Sequence, residues 1–202
     1  MLIVTMSSTP GQSPLNGVKK EGDEIKHILR NFSMVETLER PSAERVLQVL
    51  PSYSIAHFSC HGVSLPNPAD SHLLLLKESI SHDGLRKEEV DGLRVKDIAA
   101  LKLPAPRLAF LSACSTAEST SSTLVDEVTH IASSFHIAGF VDVIGILWPA
   151  EDVACHKMAV DFYMALSKTD NVAVSYRTAI MRLMEQKPLQ PLYWAPFIHF
   201  GA

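Results

Sequence analysis

Short apolar runs alternate along this 202-residue chain with longer segments whose apolar positions recur every three or four residues. The first pattern predicts buried strands and the second predicts amphipathic helices. Leu2 to Thr5 reads as a strand and leads into a loop rich in Ser, Pro and Gly from Ser7 to Gly17. A strand that starts at residue 2 is expected of the C-terminal part of a longer protein. Ile25, Ile28, Leu29 and Phe32 follow helical spacing, Met34 to Leu38 reads as a short strand, and Ser42 caps a helix with Ala43, Val46, Leu47 and Leu50 on its apolar face.

Tyr53 to Ser59 is the next predicted strand. Leu73 to Leu76 and Leu93 to Val95, separated by charged residues, read as a hairpin on the rim. A short helix around Val95 to Leu101 stops before Pro104 and Pro106, and Leu108 to Leu111 reads as an interior strand. Val128, Ile131, Ala132, Phe135 and Ala138 mark a helix from about Asp126 to Gly139, and Val141 to Leu147 another buried strand. Two helices follow, one with Ala159, Phe162, Tyr163 and Leu166, the other with Val172, Tyr176, Ile180 and Leu183, before a last strand at Phe197 to Phe200. Strands alternating with helices predict an α/β sandwich with a mostly parallel sheet, and ligands of such sheets sit outside the carboxyl ends of strands.

A hydrophobic content of 47% over this length supports one domain spanning 1–202. The net charge of -4 is mild and the basic residues are scattered, which speaks against a nucleic-acid groove or an anionic membrane partner. Three cysteines at irregular spacing, and no uninterrupted stretch of about 18 apolar residues, fit a cytoplasmic protein with free thiols. Glycine-rich nucleotide motifs and the G-x-S-x-G elbow are missing.

What changes the picture is the chemistry at two strand ends. His61 and Cys114 follow the runs that end at Ser59 and Leu111, so both are predicted at the carboxyl edge of the sheet. A neighbouring imidazole raises the thiolate fraction of a cysteine and can protonate a leaving amine, so the pair suits acyl transfer. Gly62 lets a substrate approach the backbone, and its N–H with that of Cys114 would form an oxyanion site. Ser112 and Ala113 are small enough to let a peptide pass, and Ser115 and Thr116 begin a polar loop. From composition and spacing alone, a buried core cysteine and a hydrogen-bonded loop histidine account for the two residues equally well.

HFSCHG with NPADSHLLL, then RLAFLSACSTA, DEVTHIASSFHIAGF, VIGILWP with Asp152 three residues after Pro149, the Phe162–Tyr163 pair and a terminal WAPFIHFGA resemble the CHAT domain family. These are caspase-like domains often found with tetratricopeptide repeats. The likeness runs from about Ser52 to Ala202 and is looser before that. It implies the caspase-hemoglobinase fold of separases, gingipains and caspases, a three-layer α/β/α sandwich with a mostly parallel six-stranded sheet and an antiparallel last strand. It also implies that His61 is the catalytic histidine and Cys114 the nucleophile of a cysteine endopeptidase acting on a protein or peptide substrate. An upstream repeat region or a partner would regulate it. Their separation of 53 residues, histidine first, matches the arrangement of about 50 in caspases, although spacing is weak evidence by itself. Caspases have Gln-Ala-Cys-X-Gly where this chain has SerAlaCysSerThr, so their preference for aspartate does not carry over. No third, orienting residue is visible, which leaves a dyad.

Rival readings bear on the same residues. Cys60 adjoins His61 but should point to the opposite face of its strand, into the core. Cys155 has no motif around it. His57, Cys60, His61 and His72 lack the paired spacing of zinc ligands, no D-x-D-x-D-G calcium loop occurs, and no cofactor or metal is called for. Glu118, Asp126, Glu127 and Asp152 are candidates for an acidic substrate pocket, with helix-start acids as the ordinary alternative for Asp126 and Glu127. Trp148 and Trp194 suit core or rim packing. The competing function is a silent regulatory or scaffold domain with the same fold. A thiol oxidoreductase would lack its C-x-x-C pair.

Overall fold

Five runs that read as strands from their apolar content form a parallel array, and the last run closes it antiparallel. The computed structural model describes residues 1–31, 34–63, 65, 67–80, 83–112, 114–115, 125–148 and 150–201, with only the backbone described at Pro68, Cys114, Ser115 and residues 125–130. Phe32, assigned above to a helix, lies outside the described residues.

In chain order the elements are β1 (Leu2–Thr5), α1 (Val18–Leu29), β2 (Glu36–Glu39), α2 (Ala43–Val49), β3 (Ile55–Ser59), β4 (His61–Val63), β5 (His72–Ile80), β6 (Arg86–Arg94) and α3 (Val95–Ala99). They continue with β7 (Leu108–Leu111), β8 (Cys114–Ser115), α4 (Val125–Ile137), β9 (Asp142–Ile146), α5 (Asp152–Thr169), α6 (Val172–Gln186), α7 (Pro191–Trp194) and β10 (Phe197–Phe200). The main sheet has six strands in the order β10-β9-β7-β3-β1-β2. Its neighbours are parallel except β10, which runs antiparallel to β9.

Alternation along the central strands divides the side chains between two cores. Ala56, Phe58, Ala109 and Leu111 join one cluster with Ala43 and Val46 of α2, Ile98 of α3 and Phe135 of α4. Leu108, Phe110 and Ile144 join another with Ile25 of α1, Phe162 and Tyr163 of α5 and Leu183 of α6. Helices therefore cover both faces, as a sheet buried on both sides requires. Fully buried Phe58, Phe110, Phe135 and Phe162 each contribute roughly 1.5–3 kcal/mol by leaving water, so the strands that carry them are firmly held.

Local chemistry sets the helix ends. The Ser42 Oγ accepts the Arg45 N–H at 3.2 Å, and the Asn171 side chain accepts the Val174 N–H at 2.9 Å, satisfying donors that the first turns leave open. Gly22 lets α1 lie close to β1, because a Cβ there would come within 3.2 Å of the Thr5 methyl. Among the described residues no helix is long and apolar enough to cross a membrane.

The predicted hairpin is present and longer than its apolar pieces suggest. It belongs to a second sheet, in the order β6-β5-β4-β8, which sequence periodicity did not separate from the first. Strands β4 and β8 are continuations of β3 and β7 only a few residues beyond their ends. The chain therefore passes from one sheet into the other at the place where the candidate chemistry lies.

Candidate active site

His61 opens β4 and Cys114 opens β8, and the two are lateral partners in a parallel pairing. The offset between partners is 53 residues, the same at 61 and 114 as at 55 and 108, where β3 meets β7. One register thus runs through both sheets. His57, Ser59 and His61 point to the same face because strand side chains alternate, and α1 covers that face. Cys60 points the other way into the core and is fully buried, where loss of hydration pushes its thiol up to about 12. Such a thiol is inert at neutral pH.

The His61 ring is 1% exposed. Its Nε2 lies 2.8 Å from the Ser13 carbonyl oxygen. A carbonyl only accepts, so Nε2 carries the proton, and in the neutral ring Nδ1 holds the lone pair. That Nδ1 is buried with no hydrogen-bond partner among the described residues. Ser13 belongs to the loop between β1 and α1, a strap pinned by the Leu15 N–H on the Ser7 carbonyl at 3.0 Å. The Ser13 carbonyl is an orienting group that sequence reasoning could not supply, since a backbone oxygen leaves no residue-type signal.

Beneath the two strand ends lies a buried polar network. The Glu21 Oε1 accepts from the Ser59 hydroxyl at 2.5 Å and from the His57 Nε2 at 2.9 Å, while the Glu21 Oε2 accepts from the Ser112 hydroxyl at 3.4 Å. The His57 Nδ1 lies 3.3 Å from the Tyr163 hydroxyl. Burial alone would raise the Glu21 carboxyl, but hydrogen bonding and the charge of His57, with the Ser59 and Ser112 hydroxyls, outweigh it and hold the group below its ordinary value. Burial and the Glu21 charge keep the Tyr163 hydroxyl protonated well above its usual range. His57 and His72, weighed above as zinc ligands, are engaged with Glu21 and with the Asp70 carbonyl.

A cavity of about 30 Å³ adjoins this network, lined by residues that include Leu15, Glu21, Ser112, Asp152, Cys155 and His156. Its volume is room for a water or two. Asp152, the first residue of α5, is the one predicted acidic-pocket residue whose side chain is described, and it stands on this cavity. Asp126 and Glu127 lie in the first turn of α4, but their side chains, like all of Glu118, are outside the described residues. Ala113 and Thr116 are outside them as well. Gly62 lies in β4 between β5 and β8, and a Cβ there would make only ordinary contacts, 3.6 Å from Ile131 and 3.8 Å from Leu73. Cys155 is buried on the cavity wall. Trp148 and Trp194 have buried indole N–H groups without partners among the described residues.

The comparisons with known proteins agree with this architecture. A family model described as the CHAT domain matches residues 2–202. No curated protein matches. Among solved structures, the Arg-specific cysteine proteinase gingipain R superposes with a TM-score of 0.61 at 11% identity, over 99% of this chain and 45% of that one. The pro- and mature-domain complex of RgpB from Porphyromonas gingivalis gives 0.60 at 10% identity, over 99% and 46%. The separase–securin complex of Saccharomyces cerevisiae gives 0.56 at 17% identity, over 99% and 11%. This chain therefore spans less than half the length of those proteins. At such identities the likeness establishes the fold, that of caspase-like cysteine peptidases.

Proposed function

Because the chain belongs to the CHAT domain family, we propose that it is a cysteine endopeptidase module acting through a dyad of His61 and Cys114. The observation that carries this reading is the lateral pairing of the two residues, with the His61 Nε2 hydrogen-bonded to Ser13 and the Nδ1 without a partner among the described residues. The Nδ1 takes the Cys114 proton, and the thiolate attacks the scissile carbonyl to give a tetrahedral adduct. The Gly62 and Cys114 N–H groups stabilise its oxyanion. As the adduct collapses, His61 returns the proton to the departing amine and a thioester remains. Water, deprotonated by His61, attacks the thioester, releasing the acid and restoring the thiol. The substrate is a polypeptide with a basic side chain before the scissile bond, which Asp152 would pair with on the cavity wall. Glu118, Asp126 and Glu127 are further acids of the same pocket.

The small cavity and the buried His61 favour a regulated module over a constitutively open one. Leu15 and Gly17 of the strap line the cavity, so a substrate side chain must displace them. An upstream repeat region or a protein partner would do this. The same observation favours the second reading, a silent regulatory or scaffold domain that acts by contacts alone.

The test is cleavage of a peptide library by the protein with its upstream region or partner. Cleavage lost in Cys114→Ala and His61→Ala but kept in Cys60→Ala supports the dyad. Full cleavage by Cys114→Ala with loss in Cys60→Ala overturns it, and a wild-type protein that cleaves nothing under any activating condition favours the scaffold.

A further inference from the structure

Glu21 reaches both strand ends at the point where the ladder changes sheets. The pairing of β3 with β7 runs from Ile55 and Leu108 to Phe58 and Leu111, and resumes in the second sheet at His61 and Cys114. Ser59 and Ser112 stand in the interval, each two residues before its member of the dyad and separated from each other by the same offset. One carboxylate joins them, Oε1 to Ser59 and Oε2 to Ser112. The Glu21 N–H is bonded to the Gly17 carbonyl at 2.9 Å, where the strap that carries Ser13 enters α1. His57, through its Nε2, fixes the same carboxylate from below.

We propose that Glu21 is a positioning residue, whose two carboxylate oxygens bracket Ser59 and Ser112 and thereby set the distance and aim of His61 and Cys114. This rests on the dyad reading above. Burial by itself asks only that a carboxylate meet hydrogen-bond donors, on one strand or on several. This one instead spans the two strands at the step between the sheets, and its helix is joined directly to the loop that orients the imidazole. A glutamine in its place keeps the size but removes the charge and exchanges one acceptor oxygen for an NH₂ donor, so one of the two hydroxyls must turn round to accept from it and both charge-assisted bonds are weakened. Displacement of either strand end by a fraction of an ångström weakens the coupling between thiol and imidazole, which the Cys114 thiolate fraction reports.

The test measures the pH profile of iodoacetamide alkylation at each cysteine of the full chain by peptide mass spectrometry, for wild type, Glu21→Gln, Ser112→Ala and His61→Ala. Circular dichroism establishes which variants fold. In wild type, Cys114 should titrate below the roughly 8.5 of a free thiol. Glu21→Gln should move it towards that value and slow its alkylation at pH 7, by at most about tenfold for each pH unit that the titration midpoint rises above 7. Ser112→Ala, which removes only the bond to the Cys114 strand, should move it the same way by less, and it serves as the test if Glu21→Gln does not fold. Folded Glu21→Gln and Ser112→Ala proteins with the wild-type profile, while His61→Ala changes it, overturn the positioning role and leave the dyad standing. A His61→Ala profile identical to wild type overturns both.

Discussion

His61 and Cys114 are neighbours across one parallel pairing whose offset is already established by Ile55 and Leu108 in the buried centre of the main sheet. Their adjacency is thus a product of strand register, enforced by the packing of Phe58 and Phe110 on opposite faces. With the Nε2 bonded to Ser13, the side chain at position 61 must still take up a proton on its other side, which an amide does not do near neutral pH. His61→Gln should therefore slow Cys114 alkylation at pH 7 by about tenfold or more, because an unassisted thiol is only a few per cent ionised there. Stopped labelling with mass readout checks this.

Cys60 should behave as a core atom. Burial lifts its thiol to about 12, so in the native protein at pH 8 it should resist iodoacetamide and react only after denaturation. Cys60→Ser places a hydroxyl among Phe58, Leu73 and Phe135 and should cost about 1–3 kcal/mol of stability in a urea titration.

Asp152→Asn should change which substrates are taken. If the cavity wall pairs with a basic side chain, the loss of one charged partner lowers kcat/KM for arginine or lysine before the scissile bond by roughly 10–100-fold, the worth of a charge-assisted hydrogen bond of about 1.5–3 kcal/mol. Neutral side chains at that position should be little affected. A library profile of variant against parent provides the comparison.

The Glu21 network makes a prediction for acid stability. The carboxyl of Glu21 is held below its ordinary 4.5 in the folded protein. Its contribution is therefore complete above about 4.5, the value expected unfolded, and is lost as the pH falls through the lower folded value. The difference in Tm between wild type and Glu21→Gln should be largest near neutrality and shrink below pH 4.5. A gap that widened on acidification would refute the direction.

Tyr163→Phe removes the hydroxyl that contacts the His57 Nδ1 from α5. It should cost about 1 kcal/mol in denaturant unfolding, as the loss of one side-chain hydrogen bond does. The Cys114 pH profile should stay as in wild type, because the phenylalanine keeps the ring contact with Phe110 and loses only the bond to His57.

Most of the layer structure was legible because the central strands are uninterrupted apolar runs and α4, α5 and α6 show helical periodicity. The second sheet was not, since β4 and β8 are two or three residues long and follow β3 and β7 so closely that each pair reads as a single run. The four-residue α7 was missed for a similar reason, as Pro191 starts a turn too short to show a period. At the candidate site, residue type and position nominate His61, Cys114 and Asp152, whereas Ser13 meets His61 through its backbone and carries no signal. Glu21 did leave one. It falls in phase with Val18, Gly22, Ile25 and Leu29 on the buried stripe of α1, and a carboxylate in that phase implies waiting hydroxyls or imidazoles. Lys19, Lys20, Asp23 and Glu24 around it dilute that signal with charges that suit a solvent-facing stretch.

The long β5–β6 hairpin occupies much of the sequence between His61 and Cys114, yet it lies outside the register that brings them together. Residues spliced in between Ile80 and Arg86, at its solvent-facing tip, would lengthen the numerical interval from histidine to cysteine without parting the two side by side. The interval in sequence is thus independent of the spacing in the fold, and a fluorescent or affinity insert at that tip offers a handle on the molecule away from the candidate site.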